Sequence, residues 1–438
     1  MAMVVKNNMS ALSALNTLNN NTNALSKSLK KVASGMKINS AADDASGYAI
    51  SEKMRVNIRS LNQANANAQN GSSMMKVAEG AVSSTVEILK TLKEKAVNAA
   101  NDTNTDADRA TIQKELDQSI DQINDNANVT FNGQYLVDGS KSKKTTATTT
   151  AMTNISLNTE TTSSSALTDL KSRSGDTLNI HSTDTVTISY VKDGKTITSS
   201  MEVSNKSLGV AISTLTKGKI TITGAGAGTG ASSVVGFDGS GNTVFTASGD
   251  TGITVSSSES GVTGQISGFT MYITDNKGQV NKSANAVLDT FDESIRAVNK
   301  SQDNSVNLQI GAKAGQAIKV GLTDMKAQAL GLQGSDGSTV SVGTREKANA
   351  AINTFDSAIQ KALDQQTTIG AAMSRLEYTQ SNLTTASENV TAAESTIRDA
   401  DMAKEMTEYT KNNVLMQAAQ SMLSQANQSS SNALSLLQ

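Results

Sequence analysis

The sequence contains no cysteine, no proline and no tryptophan, one histidine, and only 3% aromatic residues. Each absence closes a class of function. Without cysteine there is neither a disulfide scaffold nor a thiolate metal site. With His181 as the sole imidazole, HExxH motifs and two-histidine metal sites are excluded. A core poor in rings must be built from Leu, Ile, Val, Met and Ala, which suits long helices packed side by side. The net charge of -2 gives no field for nucleic acid or a membrane surface. Lys6, Lys27, Lys30, Lys31 and Lys37 precede the first acid, Asp43, and read as a solvated helix face. No run of about 18 apolar residues exists, so no membrane span is expected. The start, MAMVVKNNMSALSALNTLNN, has no apolar h-region leading to a small-residue cleavage site, so any export is expected to use a route that reads no cleaved signal.

What is present is heptad periodicity at both ends. From Ala11 the series Ala11, Leu15, Leu18, Thr22, Leu25, Leu29, Val32 and Met36 steps by four and three, and Gly35 offers a helix stop. The segment KINSAADDASG breaks the pattern, and Ser40 with Asp43 reads as a weak capping box. A longer helix follows, with Leu61, Ala68, Met75, Val82, Leu89 and Ala96 on one seam, then another from about Arg109 to Asn126, closed by the turn-rich FNGQYLVDGS. From about Arg345 a long helix carries Ile352, Phe355, Ile359, Ala362, Ile369, Met373, Leu376, Leu383, Val390 and Ile397 at the same spacing. After the polar STIRDADMAKE, the final stretch has no charge beyond Lys411, yet Leu415, Ala419, Met422, Ala426, Ala433 and Leu436 continue the seam, with Ser429 completing it.

The middle has another texture. Residues 141–168 are rich in Ser and Thr and read as a loop or exposed linker, open to O-linked sugars or to none. Short β-type runs follow: TLNIHST, DTVTISYVKDGKTITSSMEV, KITITG and GFTMYITDNKG. The alternation around Asp193-Gly194 predicts a hairpin. ANAVLDTFDESI at 284–295 echoes ANAAINTFDSAI at 348–359, and a helix over 284–300 is the expectation, local duplication being the alternative. VNLQIGAKAGQAIKVGL predicts one more hairpin. The glycine-rich GAGAGTGASSVVG fits neither a dinucleotide fingerprint nor a P-loop and reads as loop. Asp43-Asp44 have no acid, base or nucleotide loop beside them and read as capping groups.

The fold class expected is mainly α with an inserted β domain: a coiled coil and helical bundle formed by both termini plus a small β-hairpin, with a mostly β outer lobe projecting away. The two ends must meet, because each carries a seam that needs a partner. Half of their seam residues are Ala or polar, so the pair is expected to be disordered or shielded alone and buried in an assembly. The absence of charge between Asn7 and Ser26 and after Lys411 lets the helices pack on neighbours without desolvating ions.

LKKVASGMKINSAADDASGYAISEKMRVNIRSLNQANANAQNGSSMMKVAEGAV resembles the N-terminal block of bacterial flagellins, and SRLEYTQSNLTTASENVTAAESTIRDADMAKEMTEYTKNNVLMQAAQSMLSQANQ the C-terminal block. FNGQYLVDGS and LQIGAKAGQAIKV also match. The resemblance covers roughly residues 1–140 and 304–438. It implies a structural subunit, not an enzyme, that self-assembles into the extracellular filament for motility and needs no cofactor. It further implies an inner coiled-coil domain over 1–44 with 396–438, a helical bundle over 45–140 with 304–395, and a surface domain over 141–303. The implied assembly seam is Leu15, Leu18, Leu25, Leu29 and Val32 with Leu415, Ala419, Met422, Ala426 and Leu436. Implied partners are further copies of the chain, the flagellar type III export apparatus, an export chaperone on the C-terminal helix, and hook-associated and cap proteins.

The chain departs from the family pattern twice. Its β insertion falls between LVDGS and LQIGAKAG, whereas many relatives insert after the segment matching MKAQALGL. In strongly immunostimulatory members an Arg and a Leu stand where Thr91 and Lys95 stand here, while Glu115 matches the family's acidic position. Recognition by Toll-like receptor 5 is expected to be weakened. The runner-up readings are a hook–filament junction protein and a filament subunit whose outer lobe acts as an adhesin.

Overall fold

The computed structural model describes residues 8–224, 234–246 and 252–435. Lys6, Leu436 and the glycine-rich segment 225–233 lie outside them. In chain order the elements are α1 (Met9–Ser34), α2 (Ala45–Ala99), α3 (Asp106–Ala127), β1 (Thr130–Phe131), β2 (Gln134–Tyr135), β3 (Ala151–Asn154), β4 (Thr185–Lys192) and β5 (Lys195–Glu202). Then come α4 (Leu208–Leu215), β6 (Ile220–Gly224), β7 (Val234–Phe237), β8 (Thr243–Phe245), β9 (Ile253–Ser257), β10 (Ile266–Thr274), α5 (Lys282–Leu288) and β11 (Asp292–Ile295). The series closes with β12 (Val306–Gln309), β13 (Ala317–Val320), α6 (Arg345–Arg398) and α7 (Met402–Ser435). Two compact units emerge: residues 1–68, 309–316 and 378–438, and residues 69–308 with 317–377.

Helix boundaries follow local chemistry. Gly35 takes the left-handed conformation at φ 71° and donates its N–H to Lys31, ending α1 where the sequence predicts a stop. The expected Ser40–Asp43 capping box is not the start of α2. Asp43 instead closes a turn, accepting from the N–H groups of Asn39 and Ser40, while Asp44 caps the helix by accepting from Ser46 and Gly47 at 3.1 Å each. Those hydrogen bonds hold both carboxyls below their usual range. Thr105 and Asp108 form a reciprocal capping box at α3, and the nearly buried Arg109 donates to the carbonyls of Ala99 and Asn101, closing the C-terminus of α2.

In the second unit the predicted seam becomes core: Met75, Val82, Leu89 and Ala96 of α2 are fully buried, as are Leu116, Ile120 and Ile123 of α3 and Phe355, Ala362, Ile369 and Leu376 of α6. The β region forms two main sheets, ordered β10-β4-β5 and β11-β3-β9-β6. The β4–β5 hairpin turns on Asp193 (φ 50°) and Gly194 (φ 71°), as the alternation predicts, because both central residues of this turn need positive φ. FNGQYLVDGS also hides a short hairpin, β1–β2, turning on Asn132-Gly133.

Three expectations are corrected. Residues 141–168 are not simply linker. Ala151–Asn154 form a buried strand between β11 and β9, and Thr153 is satisfied there by Ser294 at 2.8 Å and Thr254 at 3.3 Å. Cross-strand hydroxyl pairs let a Thr-rich strand be buried, so its composition resembled a loop. The helix expected over 284–300 stops at Leu288, and residues 292–295 pair with β3 instead. TLNIHST forms no strand; Thr177 makes one isolated bridge to Lys171.

Nor does the β region stand free of the helices. The carbonyl and side chain of Asp193 at the hairpin tip meet the 334–338 loop, with Ser335 donating to its carboxylate at 2.7 Å. Arg296 after β11 pairs with Asp364 of α6 at 2.8 Å. Gly268 in β10 lies against the Ala350 carbonyl of α6, too close for any side chain.

Candidate assembly surface

In the first unit α1 and α7 pair antiparallel. Asn8 donates to the Ala426 carbonyl at 3.2 Å, Asn21 to that of Leu415 at 3.1 Å, Asn412 to the Ser28 hydroxyl at 2.8 Å, and Lys31 pairs with Glu405 at 3.3 Å. The seam predicted from sequence divides in two. Leu18, Leu25, Val32 and Ala426 are half-buried and Ala419 is buried, so these serve the pairing inside one chain. Leu15, Leu29, Leu415 and Met422 remain 41%, 51%, 42% and 67% exposed. The first of these residues lines a groove with Met9, Leu12 and Leu423, and Leu415 and Met422 line another with Ala14, Thr17 and Ala418. Two thin helices thus present apolar grooves that no residue of the described chain fills.

At the other end of this pair two connections meet. Lys37 N–H donates to the Arg398 carbonyl at 2.8 Å and Ala400 N–H to that of Gly35 at 2.9 Å, a short bridge between the α1–α2 and α6–α7 turns. The Arg398 side chain fixes it. Only 6% exposed, it pairs with Glu52, donates to Met36 Sδ at 3.2 Å and Ser51 Oγ at 3.4 Å, and stands 5.4 Å above the Tyr48 ring. This pin was missed in the sequence, where Arg398 sits in a polar, acidic stretch one residue past the last α6 seam position, Ile397, and carries no periodic signal of its own. Arg398→Ala removes several charge-assisted contacts at once, so the unit should lose about 2–4 kcal/mol. Arg398→Lys should recover less than half, since an ammonium cannot reproduce the fork. Thermal dissociation of assembled material measures both; an unchanged transition for Arg398→Ala would show that the backbone bridge suffices.

In the second unit Thr91, Lys95 and Glu115 are brought together. Lys95 Nζ pairs with Glu115 at 2.9 Å, and the Thr91 hydroxyl is turned back onto the Glu87 carbonyl at 3.1 Å. Among the described residues no three carboxylates or imidazoles are grouped to hold a metal ion, and no helix is long and apolar enough to cross a membrane.

Family models match the ends of the chain that build these elements: the bacterial flagellin N-terminal helical region over residues 5–142 and the C-terminal helical region over 352–437. The chain belongs to the bacterial flagellin family. Flagellin of Clostridium tyrobutyricum is 36% identical over 97% of this chain and 99% of its own length. That of Bacillus subtilis (strain 168) is 30% identical over 99% and 100%, and the flagellar filament 33 kDa core protein of Treponema phagedenis is 29% identical over 99% and 100%. Superposition on solved structures is low, as for FliC from Burkholderia pseudomallei at 19% identity and a TM-score of 0.27 over 70% of this chain. The two family models cover α1 to α3 with the β1–β2 hairpin, and most of α6 with α7; the remaining strands lie in the segment between them.

Proposed function

We infer that this protein is a structural subunit of the bacterial flagellar filament. The observation that carries it is the α1/α7 pair of a flagellin, whose apolar grooves no described residue fills. Neighbouring subunits fill those grooves, and the lack of charge between Asn7 and Ser26 and after Lys411 makes burial of these stretches free of ion desolvation. Residues 1–44 with 396–438 form the inner domain, 45–140 with 304–395 a helical bundle, and 141–303 the surface domain. The subunit is exported unfolded through the flagellar type III apparatus, with a chaperone covering the C-terminal helix beforehand. It meets hook-associated and cap proteins at the filament ends, resides outside the cell, and has no catalytic role. Heat-dissociated protein seeded with filament fragments should regrow filaments in negative stain. Their absence under seeded conditions counts against the reading.

Engagement of Toll-like receptor 5 is weakened. Thr91 supplies no guanidinium fork and Lys95 no apolar anchor, and the Lys95 ammonium occupies Glu115. In a receptor reporter assay the chain should be at least about tenfold less potent than a flagellin with Arg and Leu at these positions, each lost anchor being worth roughly 1–2 kcal/mol. Thr91→Arg with Lys95→Leu should restore activity; equal potency without those changes would overturn the reading.

A further inference from the structure

The chain holds 16 methionines and no cysteine, so thioether sulfur is the only sulfur it offers an oxidant. Among the described residues four methionines are exposed: Met9 at 69%, Met402 at 43%, Met406 at 45% and Met422 at 67%. All four lie on α1 and α7. Those of the β strands, Met152, Met201 and Met271, are buried or half-buried, as are those of α2 and α6. Accessible sulfur is therefore concentrated on the helix pair that carries the open grooves. Met9 lines one groove with Leu12, Leu15 and Leu423, and Met422 lines the other with Leu415 and Ala418. A thioether suits such a place, because it is flexible and apolar and shapes itself to a partner's side chains. Its sulfoxide does not: one added oxygen makes the side chain polar, with a strong acceptor and no donor. The hydroxyls of Ser10 and Thr17, which share the Met422 groove, already donate to Asn8 Oδ1 at 2.6 Å and to the Ser13 carbonyl at 3.0 Å. Once a neighbour excludes water, a sulfoxide oxygen there loses its hydrogen bonds and gains none from these two groups.

We propose, resting on the filament reading, that Met9 and Met422 are peroxide-sensitive modification sites that gate assembly: oxidised subunits stay out of the growing polymer, and assembled subunits are protected. In the step, the sulfur lone pair attacks one oxygen of a hydroperoxide. An S–O bond forms, the O–O bond breaks, the proton passes to the leaving oxygen, and water or an alcohol departs. Sulfur is oxidised by two electrons and the peroxide is reduced by the same two. The free subunit meets the oxidant with both side chains exposed, whereas in a polymer the neighbours that fill the grooves cover them. A methionine sulfoxide reductase supplied with a thiol reverses the step.

Full-length subunits, partly oxidised with hydrogen peroxide and then seeded with unoxidised filament fragments, test this. Peptide mass spectrometry measures the sulfoxide at each methionine in the pellet and in the supernatant. Sulfoxide at Met9 and at Met422 should be enriched at least about tenfold in the supernatant, the factor expected for one buried polar group without a partner. Sulfoxide at Met201, in β5, should divide evenly. Reductase treatment of the subunits left in the supernatant should restore their growth. Preformed filaments given the same peroxide should oxidise at Met9 and Met422 at least about tenfold more slowly than free subunits, because susceptibility follows exposure. Even division at Met9 and Met422, enrichment at Met201 equal to theirs, growth that the reductase does not restore, or equal oxidation rates in filament and free subunit overturns the proposal. Unoxidised subunits seeded in parallel separate the two readings. If they fail to grow, the filament reading fails; if they grow and oxidised subunits grow equally well, only the sulfoxide gate fails. No substitution is involved, so the folding of a variant does not enter.

Discussion

Leu415→Asp and Met422→Glu should abolish filament growth while leaving the β sheets folded. Both side chains line the open groove on the α1/α7 pair and are 42% and 67% exposed in the single chain. A charge there costs the isolated chain little, because water still reaches it. With the groove covered by neighbouring subunits, as proposed, an unpaired carboxylate there faces a desolvation penalty of several kcal/mol, added to the roughly 1.5–3 kcal/mol of lost apolar burial. A penalty of about 5 kcal/mol weakens each association step by more than a thousandfold. Sedimentation of seeded protein should therefore show subunits only. Leu415→Ala should merely raise the concentration needed for growth. Ala419→Asp should differ in kind, since Ala419 is buried inside the α1/α7 pair and the substitution disrupts the chain before any neighbour arrives. Normal filaments from Leu415→Asp would place the assembly contacts elsewhere.

Gly268→Ala should cost the second unit far more stability than a methyl added at an open glycine. Gly268 sits at φ +61°, where the register of β10 on β4 shifts between Ser267 and Thr270. A Cβ built there falls 2.1 Å from the Ala350 carbonyl oxygen and 2.4 Å from Thr354 Oγ1, both on α6. The left-handed backbone costs a non-glycine residue about 1–2 kcal/mol, and pushing a sheet off a helix backbone adds about 1–3 kcal/mol. Together, about 2–5 kcal/mol should lower the melting transition of this unit by several degrees. Gly218→Ala is the matched control. It has φ +70° and nothing within 4 Å of the added carbon, so only the backbone cost of about 1 kcal/mol applies. Equal shifts for the two would mean that the β10–α6 contact yields without cost.

Much of the architecture was legible because it is periodic. The α2 and α6 seams repeat every seven residues, and Ala68, Met75, Val82, Leu89 and Ala96 are all fully buried. The Asp193-Gly194 turn was equally plain, since few residues accept its dihedral angles. Where reading failed, the local signal was ambiguous or absent. Thr148, Thr150 and Thr153 look like linker until their cross-strand partners are known. Arg398 looks like surface until Glu52, Tyr48 and Met36 close over it. At the assembly surface the sequence shows which phase of α1 and α7 is apolar, but not which half of that phase the chain uses on itself.

The echo between ANAVLDTFDESI and ANAAINTFDSAI shows the boundary between the two kinds of information. Both copies carry the same helical spacing, and by itself the sequence determines that both can begin a helix. In α6 the helix continues through Phe355, which is fully buried, because the seam extends on to Ile397. In the other copy α5 ends at Leu288, Phe291 turns to meet Phe269, and residues 292–295 pair with the edge of β3. Periodicity, capping residues, turn glycines and the uncharged ends are properties of short stretches, and the sequence sets them. A strand's partner, a buried arginine's counter-charge and the division of a seam between self and neighbour depend on residues hundreds of positions away. Those were decided only when the tertiary structure brought both sides together, because a contact energy belongs to a pair and neither member carries it alone.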